Sequence, residues 1–434
     1  MAIYIGIDLG TSGCRGIAID ETACVCAKAT TAVPLPLRKG NHIEQDPDVW
    51  WQATQRVLKD IAQQIKPTEV KSIAVAGTSS TVLLCDKQGK PVQPAIMYND
   101  VRGRNHTKLI KQYALKHTAA HGATSALAKL LWYQEHGVTQ RADLVMHQAD
   151  WVSAQLCGRF GISDINNSLK LGYDPVADEW PAWLDKVKAP RQLLPRVVKP
   201  GARIGTIRFE LTERFKFPIT TQIIAGTTDS TAAFIATGVN QVGEAVTSLG
   251  STLVLKVLAD TPVFHPGYGV YSQPINGKWL VGGASNTGGA VLLKFFDLER
   301  LNELMPQIKP AVNTGLDYYP LLSQGERFPI SDPDMKSKTS PRPEDDAQFL
   351  QGLLEGIAAI EHAGYERLAE LGAPYPSRIV TTGGGAKNQA WTTIRSFLLN
   401  VPIDISTHTE AAFGSALLAR KGTVNVTDNL KSFR

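Results

Sequence analysis

Several things are scarce in this sequence. Its 434 residues include only five cysteines, an odd number without the spacing of a disulfide framework. Cys24 and Cys26 stand two apart, but no second Cys or His pair completes a zinc site, so they read as core or surface thiols. No apolar stretch is long enough to cross a bilayer. The start lacks a basic segment, a long apolar run and a small-residue cleavage site, and it carries an acid at Asp8. No run of Lys or Arg occurs, and a net charge of +5 is mild for this length. These absences argue against nucleic acid or an anionic membrane as partner. The expected setting is a reducing cytoplasm. What remains is an ordinary globular composition, 43% apolar and 20% charged, long enough for two or three domains with an ample core. Oligomeric state is not readable here.

The opening residues Ile3 to Asp20 read as a strand, a tight turn and a returning strand. Asp8 ends the first strand. Gly10 and Gly13 supply a turn that needs positive φ or open backbone. Thr11 and Ser12 place hydroxyls and backbone N–H groups at the tip. Successive N–H groups form a concavity that can hold phosphate oxygens, and a nearby carboxylate can hold Mg²⁺ through water. A plain β-hairpin with a polar turn explains these residues equally well.

A second copy tips the balance. Thr247-Ser248-Leu249-Gly250-Ser251-Thr252 followed by Leu253 to Val257 has the same order of strand, Leu-Gly-hydroxyl turn and apolar strand. Two such turns far apart suggest a duplicated domain, each half giving one phosphate-holding hairpin. With these motifs the chain resembles the FGGY carbohydrate kinases nearly end to end. That resemblance implies the α/β actin-like ATPase fold, two ribonuclease-H-like lobes with a cleft between them. The expected division is an N-terminal lobe over 1–220, holding the sugar and the first phosphate hairpin. A C-terminal lobe over 221–434 is expected to hold the catalytic base and the nucleotide.

The remaining motifs follow in order. Asp46-Pro47 opens a capped helix running to about Gln64. Val70 to Ala76 is an apolar strand ending in Gly77-Thr78-Ser79-Ser80, a loop at the carboxyl end of a strand where ligands of open α/β sheets bind. The resemblance implies a sugar contact at Ser79. Tyr98-Asn99-Asp100-Val101-Arg102 matches the family's Trp-x-Asp-x-Arg segment, with Tyr98 in place of the usual Trp; a surface ion pair between Asp100 and Arg102 is the plain alternative. Lys129-Leu130-Leu131-Trp132 resembles part of the first family signature, and Lys129 reads as structural.

Ile223 to Ala233 reads as a strand, a Gly turn, Asp229 and a small-residue helix. A carboxylate there is an ordinary helix cap. The resemblance makes Asp229 the catalytic base, and one positioned carboxylate suffices to accept the proton of an attacking hydroxyl. Gly383-Gly384-Gly385-Ala386-Lys387-Asn388 is the most specific motif. Its glycines let backbone approach a ligand, and the helix that follows offers N–H groups to phosphate.

The full set of implied contacts is as follows. Asp229 is catalytic; Asp8, Ser79 and Asp229 face the sugar. Thr11, Ser12, Gly13, Gly250, Ser251, Gly384, Gly385 and Asn388 face ATP, and Asp8 and Asp229 face Mg²⁺. The implied reaction is phosphorylation of a ketopentose. The Gly77–Asp86 stretch and Tyr98-Asn99-Asp100 look like the compact branch that phosphorylates D-ribulose, so D-ribulose ranks first and D-xylulose second, with other polyols behind. A nucleotide switch or pseudokinase of the same fold is the reading from a different class.

Overall fold

The computed structural model describes residues 1–431. It divides into two compact units, Met1–Ala236 joined by the segment from Glu410 onward, and Thr237–Thr409.

The first unit is built on a six-stranded sheet of β1 (Ile3–Leu9), β2 (Gly13–Ile19), β3 (Val25–Ala32), β4 (Val70–Gly77), β5 (Arg203–Thr206) and β6 (Gln222–Thr228). The order is β5-β6-β4-β1-β2-β3. β1, β2 and β3 pair antiparallel, whereas β1, β4 and β6 run parallel. All seven residues of β1 are buried, as expected of a strand covered on both faces. Helix α1 (Pro47–Ala62) begins where Asp46 accepts a hydrogen bond from the Asp48 N–H, with Pro47 at its first position. It buries Trp50, Ala53, Thr54, Val57, Leu58 and Ile61, one stripe at helical spacing. Helix α2 (Gln148–Cys157) and helix α3 (Asp229–Ala236) follow.

The second unit repeats the plan. Its sheet holds β7 (Glu244–Leu249), β8 (Leu253–Ala259), β9 (Tyr271–Ile275), β10 (Lys278–Ala284), β11 (Arg378–Thr382) and β12 (Ile403–Ile405), in the order β9-β10-β8-β7-β11-β12. β7, β8 and β10 pair antiparallel, and β7, β11 and β12 run parallel. Strand for strand this is the β1-β2-β3 and β1-β4-β6 pattern of the first unit, so the expected duplication is present as topology. Helix α4 (Asp346–Glu370), capped by Asp345, and helix α5 (Gln389–Leu399), capped by Asn388, complete this unit. The chain then returns to the first unit as α6 (Ala411–Lys431). A Cβ on Gly6 would lie 2.0 Å from the Ala412 carbonyl oxygen, so α6 packs backbone to backbone on β1. The small residues Ala412 and Ala416 allow that approach, while Gly414 meets α3, where a Cβ would lie 1.8 Å from the Ala232 carbonyl oxygen.

The division falls later than the boundary expected at 220. The strand expected to open the second lobe is β6, which pairs parallel to β4 in the first sheet. Asp229 therefore belongs to the first unit, with Asp8, and the second repeat begins at its own hairpin, β7–β8.

Candidate active site

In the first unit, Asp8 lies next to the carboxyl end of β1, opposite Ala76 of β4. Thr228, the last residue of β6, stands opposite Gly77 of the same strand. Asp229 follows at once as the first residue of α3. The two carboxylates thus flank the carboxyl end of β4, one strand apart. β6 reaches this place through an irregularity between Ile224 and Thr227. There Gly226 crosses β4 so closely that a Cβ would lie 1.8 Å from the Val75 carbonyl oxygen. Only glycine fits that crossing.

Asp8 is buried, and its Oδ1 has no hydrogen-bond partner. Its Oδ2 meets Arg15 Nη1 at 3.4 Å. Burial pushes the Asp8 carboxyl up to about 6, the Asp229 charge adds to the rise, and Arg15 opposes it. Asp229 Oδ1 accepts the Ser230 N–H at 2.6 Å. Two carboxylates that repel one another, one with an unused buried oxygen, suit a divalent cation. Mg²⁺ characteristically takes one or two carboxylates and completes its shell with water and phosphate. No group of three or more His, Cys, Asp or Glu side chains arranged for a metal occurs among the described residues, so the pair fits that mode and not an all-protein cage.

The hairpin joining β1 to β2 is closed by the Gly10 N–H on the Gly13 carbonyl at 2.9 Å. Neither glycine has positive φ, so of the two conditions the sequence offered, the turn uses open backbone and not the left-handed region. The Ser12 carbonyl accepts the Val33 N–H at 3.0 Å, and the Thr11 carbonyl accepts Gln45 Nε2 at 3.4 Å. Ser12 is exposed and Thr11 half-buried.

Ser79 is half-buried in the turn that follows β4. Its neighbour Ser80 was not singled out by sequence. Ser80 is buried, has φ +72, and leaves its Oγ without a partner. Lys129 holds it there: its Nζ donates to the Ser80 carbonyl at 2.8 Å and to the Tyr98 carbonyl at 3.2 Å. Burial draws the Lys129 ammonium well below the usual lysine range. Gln148 accepts the Thr78 N–H at 2.9 Å through Oε1, and its buried Nε2 has no partner. Nothing in the sequence marks Ser80 or Gln148, because a strained serine and a half-used amide are products of tertiary packing. Asp100 and Arg102 do pair, but in the interior and not at the surface. Asp100 is fully buried, bound by Arg102 at 2.8 Å and by the Ile43 N–H at 2.6 Å. Arg102 also reaches Glu44 at 2.7 Å and lies over the Trp132 ring. Both groups are used up inside the fold.

In the second unit, Gly250, Ser251, Gly384, Gly385 and Asn388 all line one cavity of about 930 Å³. Leu298, Leu301, Met305 and Trp391 give it an apolar wall, of a kind that suits a flat ring. Gly383 has φ +87, and a Cβ there would lie 2.6 Å from the Leu249 carbonyl oxygen. Gly385 presses on Trp391 and Leu249, while Gly384 faces open space. Asn388 is spent on structure: Oδ1 accepts the Trp391 N–H at 3.0 Å and Nδ2 lies 2.9 Å from Met305 Sδ. It caps the helix whose N–H groups the sequence reading offered to phosphate. The Gly250 carbonyl accepts the Gly289 N–H at 2.8 Å. The loop bearing Gly289 is anchored by buried Glu326, which accepts from Ser285 Oγ at 2.5 Å and the Asn286 N–H at 2.8 Å.

Residues 3–236 match the N-terminal domain of the FGGY family of carbohydrate kinases, and residues 245–422 match its C-terminal domain. The chain belongs to that family. Among curated FGGY relatives, the xylulose kinase of Escherichia coli (strain K12) is 26% identical over 446 residues, covering 96% of this chain and 90% of that protein. Among solved structures, a kinase from Brucella ovis described as a xyloylose kinase superposes with a TM-score of 0.88 at 23% identity, covering 98% of this chain and 91% of that one. The glycerol kinase of Plasmodium falciparum with ADP superposes at 0.86 with 19% identity, covering 100% and 92%. The fold is thus the actin-like ATPase fold of FGGY sugar kinases. No described helix is long and apolar enough to cross a membrane.

Proposed function

We propose that this FGGY kinase transfers the γ-phosphate of ATP to the terminal hydroxyl of a ketopentose. The observation that carries the reading is the carboxylate pair flanking the carboxyl end of β4: Asp8 buried with an unused oxygen, Asp229 at the start of α3. Asp229 accepts the hydroxyl proton as the sugar oxygen bonds to the γ-phosphorus. The bond from that phosphorus to the bridging oxygen breaks, and ADP leaves. The transition state is loose, so positioning and charge neutralisation supply most of the acceleration and the base a smaller share. Asp8 and Asp229 would hold Mg²⁺, which supplies charge neutralisation at the phosphates. The tips at Thr11 to Gly13 and at Gly250 and Ser251 present backbone N–H groups to phosphate oxygens. The cavity walled by Leu298, Met305 and Trp391 takes the adenosine.

Two ketopentoses stand ahead of the rest, and they differ in configuration at one carbon. The names of the curated relatives favour D-xylulose. The Gly77–Asp86 segment and Tyr98, 39% exposed where the family has Trp, favour D-ribulose. Unpartnered Ser80 Oγ and Gln148 Nε2 supply the hydroxyl contacts that separate such epimers. The test is ADP release with Mg-ATP and D-xylulose, D-ribulose, L-ribulose, ribitol or glycerol, beside a sugar-free control. A gain with one ketopentose fixes the substrate. ATP binding with no gain from any sugar would replace this reading by a pseudokinase.

A further inference from the structure

Beneath the floor of the second unit's cavity lies a buried polar network that the reaction does not use. Arg395 on α5 and Glu361 on α4 form an ion pair, both fully enclosed. Arg395 Nε donates to Glu361 Oε2 at 2.5 Å and Nη2 donates to Oε1 at 2.7 Å, the fork geometry that makes such pairs directional. Two threonines at the same register of adjacent parallel strands complete it. Thr247 of β7 pairs with Thr381 of β11. Thr247 Oγ1 donates to Glu361 Oε1 at 2.6 Å, and Arg395 Nη1 donates to Thr381 Oγ1 at 2.9 Å. Tyr365, one turn beyond Glu361, reaches Thr247 Oγ1 at 2.8 Å. All five residues are sealed from solvent.

Three of the joined elements lead into the cavity wall. Two residues beyond Thr247 is Leu249, followed by Gly250 and Ser251. Two residues beyond Thr381 is Gly383, followed by Gly384 and Gly385. One turn before Arg395 is Trp391, which lines the cavity and touches Gly385. The network ties the strand ends and the helix start to one another from behind, with α4 as the fixed post. Apolar residues of similar volume could fill this space, because a buried ion pair gains little over well-packed hydrophobic side chains. A hydrophobic filling would not fix the register of β7 against β11 and α5.

We propose that the Arg395–Glu361 pair is a positioning device for nucleotide binding, holding the β7–β8 hairpin, the Gly383–Gly385 turn and Trp391 at the spacing the nucleotide needs. This rests on the reading that the cavity takes ATP. Neither residue touches the nucleotide, so both act through the residues they hold.

The test compares the wild-type chain, R395K and the double variant E361M/R395M. Three quantities are read: Mg-ADP affinity by calorimetry well below any melting transition, thermal melting, and the separate KM values for ATP and for the sugar. R395K keeps the charge and loses the fork. The double variant removes both charges and leaves a packable apolar pair. The expected result is an ADP affinity weakened about tenfold or more in the double variant, the scale of misplacing a binding wall by a fraction of an ångström to an ångström. KM for ATP rises in step and KM for the sugar stays put, with R395K in between. A merely structural role would make ADP affinity follow melting temperature. A double variant that binds Mg-ADP like the wild type overturns the proposal, whatever its melting temperature. A wild-type chain that binds no ADP removes the nucleotide reading itself, and the positioning role with it.

Discussion

Replacing Asp8 by Asn should stabilise the free protein while it disables the enzyme. The Asp8 carboxyl sits at about 6, against an ordinary value of 3.8, because burial and the Asp229 charge both disfavour its ionised form. Between roughly pH 4 and pH 6 the folded chain therefore keeps a proton that the unfolded chain has released. The Asp8 contribution to stability falls as pH rises through that window and falls no further above it. A difference of about two pH units is worth roughly 3 kcal/mol. The contact with Arg15 is lost in the variant, but it is 3.4 Å long and Arg15 is half exposed, so it returns less than about 1 kcal/mol. About 2 kcal/mol of net stabilisation remains at neutral pH, or several degrees of melting temperature for a unit of this size. Thermal melts of both proteins at pH 5 and pH 7.5, without metal or nucleotide, measure it. The gap should be wider at pH 7.5, and Mg-ADP should narrow it by stabilising the wild type more. D8N should lose most of its transfer activity. A variant that melts at or below the wild type at pH 7.5, or a gap that does not change with pH, would refute the electrostatic argument.

Three further outcomes follow from the geometry. Asp229→Ala should retain nucleotide binding measured without Mg²⁺ and lose roughly a hundredfold in phosphoryl transfer, the share of a general base; near-normal turnover removes Asp229 from that role. Gly384→Ala places its methyl where nothing lies within 4 Å, so melting should not change, while KM for ATP rises if the ligand's approach needs bare backbone there; an unchanged KM says the ligand passes elsewhere. Glu326→Gln turns one acceptor oxygen into a donor among the Ser285, Asn286 and Tyr319 contacts. It should cost about 1–3 kcal/mol of stability and raise KM for ATP, read by denaturant unfolding and steady-state kinetics.

How much of this was legible depended on whether the signal was local. The strand Val70–Ala76 and the helix from Asp46-Pro47 were readable to within two residues, because apolar runs, caps and prolines act over a few positions. The duplication was readable from the two Leu-Gly-hydroxyl hairpins. The boundary followed from the same evidence and was set too early: if each repeat opens on its hairpin, Ile223 to Thr228 has to close the first repeat. What could not be read is the partner choice of buried polar groups. A strained Ser80 held by Lys129, the Asp100–Arg102 pair turned inward, and Glu361 meeting Arg395 across 34 residues all depend on which helix face meets which strand.

The hairpin tips show why chemistry and pattern separate here. The glycines of the first tip suggested positive φ or open backbone; Gly10, Gly13 and Gly250 lack positive φ, whereas Gly288 and Gly383 beside the second unit's cavity have it. What the two tips share is the fate of their carbonyls. In the first, Ser12 and Thr11 oxygens are held by Val33 and Gln45. In the second, Gly250 and Ser251 oxygens are held by the N–H groups of Gly289 and Ala290. Unrelated partners thus occupy the carbonyls of both tips, so that the phosphate proposed to bind there would not face them. An anion-binding tip needs its N–H groups presented and its carbonyls withdrawn. The turn sequence supplies the first condition, and only the surrounding fold supplies the second.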